Sequence, residues 1–165
     1  MKKPIIDLKK INISIDNKNI LSDVSFLMRN GEFMYLIGKT GSGKSSLLKI
    51  LYGDIKINDG TGEVVGMDIL NIKEKNIPFL RRKLGIVFQD FKLLPDRSIE
   101  KNLEFVLKAT DWSDKKKISD RISKVLEKVK LSETLKKFPH ELSGGEQQRV
   151  AIARAILNDP ELILA

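Results

Sequence analysis

Gly38-Lys39-Thr40-Gly41-Ser42-Gly43-Lys44-Ser45 is the stretch on which the fold turns. It fits G-x-x-x-x-G-K-[S/T] at every specified position. An apolar run, Phe33-Met34-Tyr35-Leu36-Ile37, precedes it, and a helical pattern from about Gly43 to Leu51 follows. Glycines at these positions let the backbone curl so that successive N–H groups face phosphate oxygens, which larger side chains would obstruct. The helix start adds the positive end of its dipole. Lys44 places a cation on the β- and γ-phosphates, and the Ser45 hydroxyl is a small hard oxygen suited to Mg2+. With Ser46, these residues read as a nucleoside triphosphate site that says little about the base.

Outward from the loop, Phe33 to Ile37 is apolar on both faces, which predicts a strand buried inside a parallel sheet. On the N-terminal side, Ile6 and Leu8, then Ile11, Ile13 and Ile15, alternate as one strand or a strand with a bulge. A second strand is expected over Asp23 to Met28, turned by Asn30-Gly31. On the C-terminal side, a short strand falls around Glu63-Val64-Val65, and Pro78 opens a short helix through Arg82. Leu84 to Phe88 reads as a second buried strand. Ile99, Leu103, Val106 and Leu107 share one helical face; Ile118, Ile122, Val125, Leu126 and Val129 share another. Gly144-Gly145 starts a further helix through about Leu157, Asn158-Asp159-Pro160 stops it, and Glu161 to Ala165 begins another apolar strand. The order predicts an α/β chain in three parts: a β and phosphate-loop core over 1–90, a helical subdomain over 91–141, and a helix with the start of a strand over 142–165.

Composition narrows the class. A chain of 165 residues with 41% apolar and 32% charged residues is a folded domain, neither disordered nor collagen-like. No apolar stretch approaches the roughly 20 residues that cross a bilayer. Met1-Lys2-Lys3-Pro4 meets Asp7, Lys9 and Lys10 before an export leader could form, and cysteine is absent, so the setting reads as cytosolic. The net charge of +8 raises nucleic acid as a partner, but only seven of the 30 cations are arginine and they are scattered. No nucleic-acid partner is expected.

A second motif, Leu142-Ser143-Gly144-Gly145-Glu146-Gln147-Gln148-Arg149, stands ahead of the last helix. As plain physics it reads in two ways. Ser143 and Glu146 can close a capping box, or a serine and two glycines at a helix N-terminus can make an anion-binding surface. About 100 residues after a phosphate loop, and followed by Val150-Ala151-Ile152-Ala153-Arg154-Ala155, it resembles the signature motif of ATP-binding cassette (ABC) ATPases. Gln89 matches that family's Q-loop glutamine, and 158–165 looks like the approach to its Walker B strand. The resemblance implies a P-loop NTPase (RecA-like) core with an N-terminal antiparallel β portion and an inserted helical subdomain.

It also implies the chemistry. Two copies face head to tail as a homodimer and trap ATP and Mg2+ between them. Gly38 to Ser46 of one copy hold the phosphates, while Ser143, Gly144, Gly145 and Gln147 of the other approach the γ-phosphate. Gln89 senses that phosphate and Mg2+, and its loop passes the change to a membrane partner. Leu84 to Arg97, and Pro139-His140-Glu141, are similar to a subgroup that acts with an integral membrane protein in bacterial cell division, at the cytoplasmic face of the inner membrane. Relatives that export lipoproteins or macrolides share much of the pattern.

Two departures from the family pattern stand out. The family places an aromatic residue under adenine where this chain has Ile13-Ser14-Ile15-Asp16-Asn17, so stacking is lost. Its Walker B aspartate and glutamate and its switch histidine come after the equivalent of Ala165. The 165 residues therefore read as a C-terminally truncated cassette, incomplete in its sheet, that binds nucleotide weakly at best and hydrolyses almost none; the alternative is a non-hydrolysing nucleotide-binding module that ends at 165. His140, beside Pro139, reads as a loop or capping residue and not as that histidine.

Overall fold

Lys9 and Lys10 interrupt the alternation of the first strand, and the computed structural model shows how the chain absorbs the break. The model describes residues 3–15 and 18–165. Strand β1 (Ile6–Ile15) is bulged between Leu8 and Ile11, where Lys10 takes a left-handed φ of 51°. The extra residue shifts the phase, so Ile6, Leu8, Ile11 and Ile13 all point into the core, none more than 2% exposed. β1 pairs antiparallel with β2 (Lys18–Met28) on one side and β3 (Asp59–Val64) on the other. The short β4 (Met67–Asp68) completes the sheet order β2-β1-β3-β4. Gly60, at φ 104°, lets β3 pass the bulge: a Cβ there would lie 2.5 Å from the carbonyl oxygen of Lys10.

Helix α1 (Lys44–Leu51) buries Leu47, Ile50 and Leu51, spaced i, i+3, i+4 on one face. Helix α2 (Ile77–Arg82) carries Pro78 in its first turn, as the sequence predicts. These elements belong to one compact unit, ending at Lys83; a second begins at Leu84.

The run Phe33–Ile37 corrects an expectation. It is not a strand, and its residues are exposed, from 43% at Leu36 to 88% at Ile37. A strand needs a neighbouring backbone for its N–H and C=O groups. Among the described residues no strand pairs with this run: β2 has ended at Met28, and the turn closed by Glu32 N–H on the Arg29 carbonyl leads the chain away.

In the second unit, β5 (Leu84–Ile86) and β6 (Leu162–Leu164) form a parallel pair, Leu84 opposite Leu162 and Ile86 opposite Leu164. β5 is shorter than Leu84 to Phe88, because the backbone turns at Phe88; Val87 N–H still donates to the Leu164 carbonyl. Helices α3 (Ile99–Ala109), α4 (Lys115–Lys128) and α5 (Gly144–Ala155) share one core: Ile99, Leu103 and Leu107 against Ile122, Val125 and Leu126, with Val150 and Ala153. Ser98 and Asp114 cap α3 and α4 through their side chains. Arg121 of α4, its side chain 10% exposed, donates to the carbonyls of Ile156 and Leu157 and to Asp159, closing the C-terminal end of α5.

On α3, Glu104 accepts from Lys101 at 2.6 Å and from Lys108 at 2.7 Å, and these bonds push its carboxyl down to about 2. A folded-state pKa below the unfolded value, about 4.3, stabilises the fold above that pH and loses the contribution as pH falls towards 2. Acid-unfolding curves of the native protein and Glu104→Gln are therefore expected to differ above about pH 5 and to converge near pH 2. A pH-independent difference would remove this pair of bonds as its source.

Candidate functional site

The phosphate loop belongs to the first unit. Gly41 and Gly43 both sit at positive φ, 80° and 87°, and Gly43 is the N-cap of α1. The positive φ favours glycine at 43, and a Cβ there would also press on the Ile20 carbonyl oxygen at 3.2 Å and displace the Leu21 side chain. Ser42 N–H closes the turn on the Lys39 carbonyl, and Thr40 lies in the same turn. Lys44 occupies the first helical position and donates to the carbonyls of Gly38 and Lys39, 2.7 Å each. These bonds use two of the three ammonium N–H groups and point the charge into the loop. No acidic residue stands in the first turn of α1, so the ammonium and the helix dipole add without neutralisation. The loop is an anion sink. Ser45 is exposed on the first turn and Ser46 is half-buried behind it.

Gln89 and the LSGG stretch belong to the second unit. Gln89 is exposed in the turn after β5. Of the two readings of Ser143, the capping box is the one seen. Ser143 caps α5 in a full capping box: its Oγ accepts from Glu146 N–H at 3.3 Å and donates to Glu146 Oε2 at 2.7 Å, and its own N–H donates to that oxygen at 2.8 Å. The hydroxyl and backbone bonds from Ser143 hold the Glu146 carboxyl below its usual range. Gly144 and Gly145 form the first turn, exposed; a Cβ on Gly144 would meet nothing within 4 Å, and on Gly145 only Arg149 Nη1 at 3.9 Å. Among the described residues nothing demands glycine there, so the open surface suits the close approach of something outside it. Gln147 is turned back, donating to the Leu142 carbonyl at 3.1 Å.

The turn after Gln89 carries two consecutive non-glycine residues in the left-handed region, Phe91 at φ 55° and Lys92 at φ 48°. Such backbone costs about 1–2 kcal/mol per residue. Arg154, in the last turn of α5, offsets it: Nη2 donates to the Phe91 carbonyl at 2.6 Å and Nη1 to the Lys92 carbonyl at 2.7 Å. Bonds from a charged donor contribute about 1.5–3 kcal/mol each, enough to hold the turn. Sequence reasoning gave Arg154 no role, because its acceptors are backbone oxygens.

His140 lies in a short 3-10 turn, exposed and stacked on Phe138 at 5.8 Å. Of the stretch where the family stacks adenine, Asp16, Asn17 and the side chain of Ile15 lie outside the described residues. Among the described residues no group of three or more His, Cys, Asp or Glu is arranged to hold a metal ion, and no helix is long and apolar enough to cross a membrane.

A glycine loop feeding an N-terminal helix, and a capped glycine-rich helix start, are features of an ATP-binding cassette, and the ABC transporter family profile matches residues 21–165. The chain belongs to that family. It is 41% identical over 162 residues to the cell division ATP-binding protein FtsE of Streptococcus pneumoniae (strain D39), a match covering 98% of this chain and 70% of the relative. It is 42% identical over 153 residues to FtsE of Escherichia coli (strain K12), covering 92% and 68%. The ATP-binding cassette MJ0796, solved as a dimer in a post-hydrolysis state bound to ADP and Pi, superposes with a TM-score of 0.84 at 30% identity, over 97% of this chain and 72% of that one. The α/β cassette fold and the ATPase class follow from these matches.

Proposed function

We propose that this chain is the ATP-binding subunit of an FtsE-type complex in bacterial cell division, acting with an FtsX-like integral membrane partner at the cytoplasmic face of the inner membrane. The observation that carries it is 41% identity to FtsE across 98% of the chain, with the phosphate loop and the capped LSGG helix both intact. ATP is the substrate, split by water to ADP and phosphate in the cassette that carries the family's Walker B carboxylates and switch histidine. Gly38 to Ser46 cradle its phosphates, with Lys44 on the β- and γ-oxygens. In a head-to-tail homodimer, Ser143, Gly144 and Gly145 of the second copy meet the γ-phosphate, and Gln147 steadies that surface through the Leu142 carbonyl. Residues 91–141 form the helical subdomain that the membrane partner addresses.

The donor types suit Mg2+. Ser45 offers an exposed hydroxyl in the first turn of α1 and Gln89 an exposed amide oxygen, both hard ligands. Bound there, Mg2+ would neutralise charge on the nucleotide phosphates.

Co-expression with an FtsX-type membrane protein tests the proposal. The expected result is co-purification, ATP turnover raised by the partner, and loss of both when residues 89–94 are changed. Capture by a lipoprotein- or macrolide-export permease instead would move the chain to that subgroup. Salt-sensitive binding to duplex DNA without a membrane partner would overturn the proposal.

A further inference from the structure

We infer that Arg154 is a positioning residue that clamps the loop after Gln89 to the signature helix, so that movement of the loop re-aims Ser143 at the far end of α5. The clamp is bidentate. One guanidinium spans two consecutive carbonyls, Phe91 at 2.6 Å and Lys92 at 2.7 Å, and lies over the Phe88 ring, 5.9 Å from its centroid. It therefore grips the turn on both sides of Gln89 and Asp90. The turn is braced from within by Phe91 N–H on the Phe88 carbonyl and by the Lys92 ammonium on Asp90, 2.7 Å. Such a turn moves as a piece. Burial lowers the guanidinium pKa while Asp90 opposes the shift, as fits a cation drawn inward for its hydrogen bonds.

The other end of the lever is α5 itself. Its 12 residues span about 18 Å. An α-helix capped at Ser143 by the Glu146 box, and closed at Ile156 and Leu157 by Arg121, tilts as a rod before it bends. A displacement of the Phe91 and Lys92 carbonyls is thereby delivered to Arg154 at the C-terminal end and expressed at Ser143, Gly144 and Gly145 at the other. Arginine suits the task better than lysine, since its rigid planar fork fixes the direction of both bonds together, whereas an ammonium on a flexible stem does not.

This inference rests on the proposed roles of Gln89 and Ser143, and the test separates the two. Hydrogen exchange is followed on the complex with its membrane partner, with and without ATP, alongside ATP turnover. In the native complex ATP is expected to slow exchange both at 89–94 and at the first turn of α5. In Arg154→Met the loop response is expected to remain and the α5 response to vanish. Turnover falls about tenfold or more, with KM for ATP within about twofold. Arg154→Lys, which keeps the charge but not the rigid fork, is expected to lie between. An α5 response and turnover unchanged in Arg154→Met would overturn the clamp, as would unfolding of both variants, which assigns Arg154 to stability alone. A native complex that neither hydrolyses ATP nor responds to it sinks the functional reading. In that case nucleotide-free exchange at 89–94 still decides: about tenfold faster in Arg154→Met supports the clamp, and an unchanged rate overturns it.

Discussion

Alanine at position 44 is expected to lower ATP affinity by at least about 100-fold and to leave the fold intact. The two effects separate because Lys44 has separable partners. Its charge-assisted contacts to phosphate are each worth about 1.5–3 kcal/mol, so losing two of them costs two orders of magnitude or more in Kd. Its bonds inside the protein run to the carbonyls of Gly38 and Lys39, which are exposed and pass to water when the ammonium is removed. The stability change is therefore about 1 kcal/mol or less. Titration calorimetry with ATP, beside a thermal melt, measures both. An affinity within threefold of native would show that the backbone N–H groups and the helix end do the holding without the lysine.

The second large effect is expected from Gly145→Asp, and its two consequences have opposite signs. A carboxylate in the first turn of α5 faces the positive end of the helix dipole and should leave stability unchanged or raise it by about 0.3–1 kcal/mol. There is room for it, since only Arg149 Nη1 at 3.9 Å stands near. At the same place the carboxylate repels a γ-phosphate brought by a second copy, and turnover in the complex is expected to fall more than about 100-fold, while ATP binding to the chain's own loop is unaffected. Retained turnover with a raised melting temperature would show that this turn of α5 faces no phosphate in the working dimer.

How much of this was readable beforehand depends on what each residue bonds to. The phosphate loop was legible because its glycines answer to local backbone geometry, and its lysine to charge. The helix faces of α3 and α4 were legible because burial repeats every three or four residues, while the alternation either side of Lys9-Lys10 allowed a plain strand as well as the bulged one that β1 forms. The run Phe33–Ile37 misled because five apolar residues state only that they avoid water; whether they form a strand depends on a backbone elsewhere in the sequence. Arg154 was silent for a related reason. Carbonyl acceptors have no sequence signature, and Phe91 and Lys92 do not advertise a left-handed turn as glycine or asparagine would.

Asn102, 2% exposed on α3, accepts from Leu94 N–H and donates to the carbonyls of Leu94, Arg97 and Ser98. One amide thereby fixes the path from Leu94 to the start of α3, as the arginine of α5 fixes the path through Phe91 and Lys92. The one residue between the two splinted segments, Leu93, packs against the core that α3, α4 and α5 share. Held at both ends and packed in the middle, the stretch from Phe91 to Ser98 has no slack joint, so motion arising at Gln89 is passed on to α3 and α5 instead of being absorbed between them.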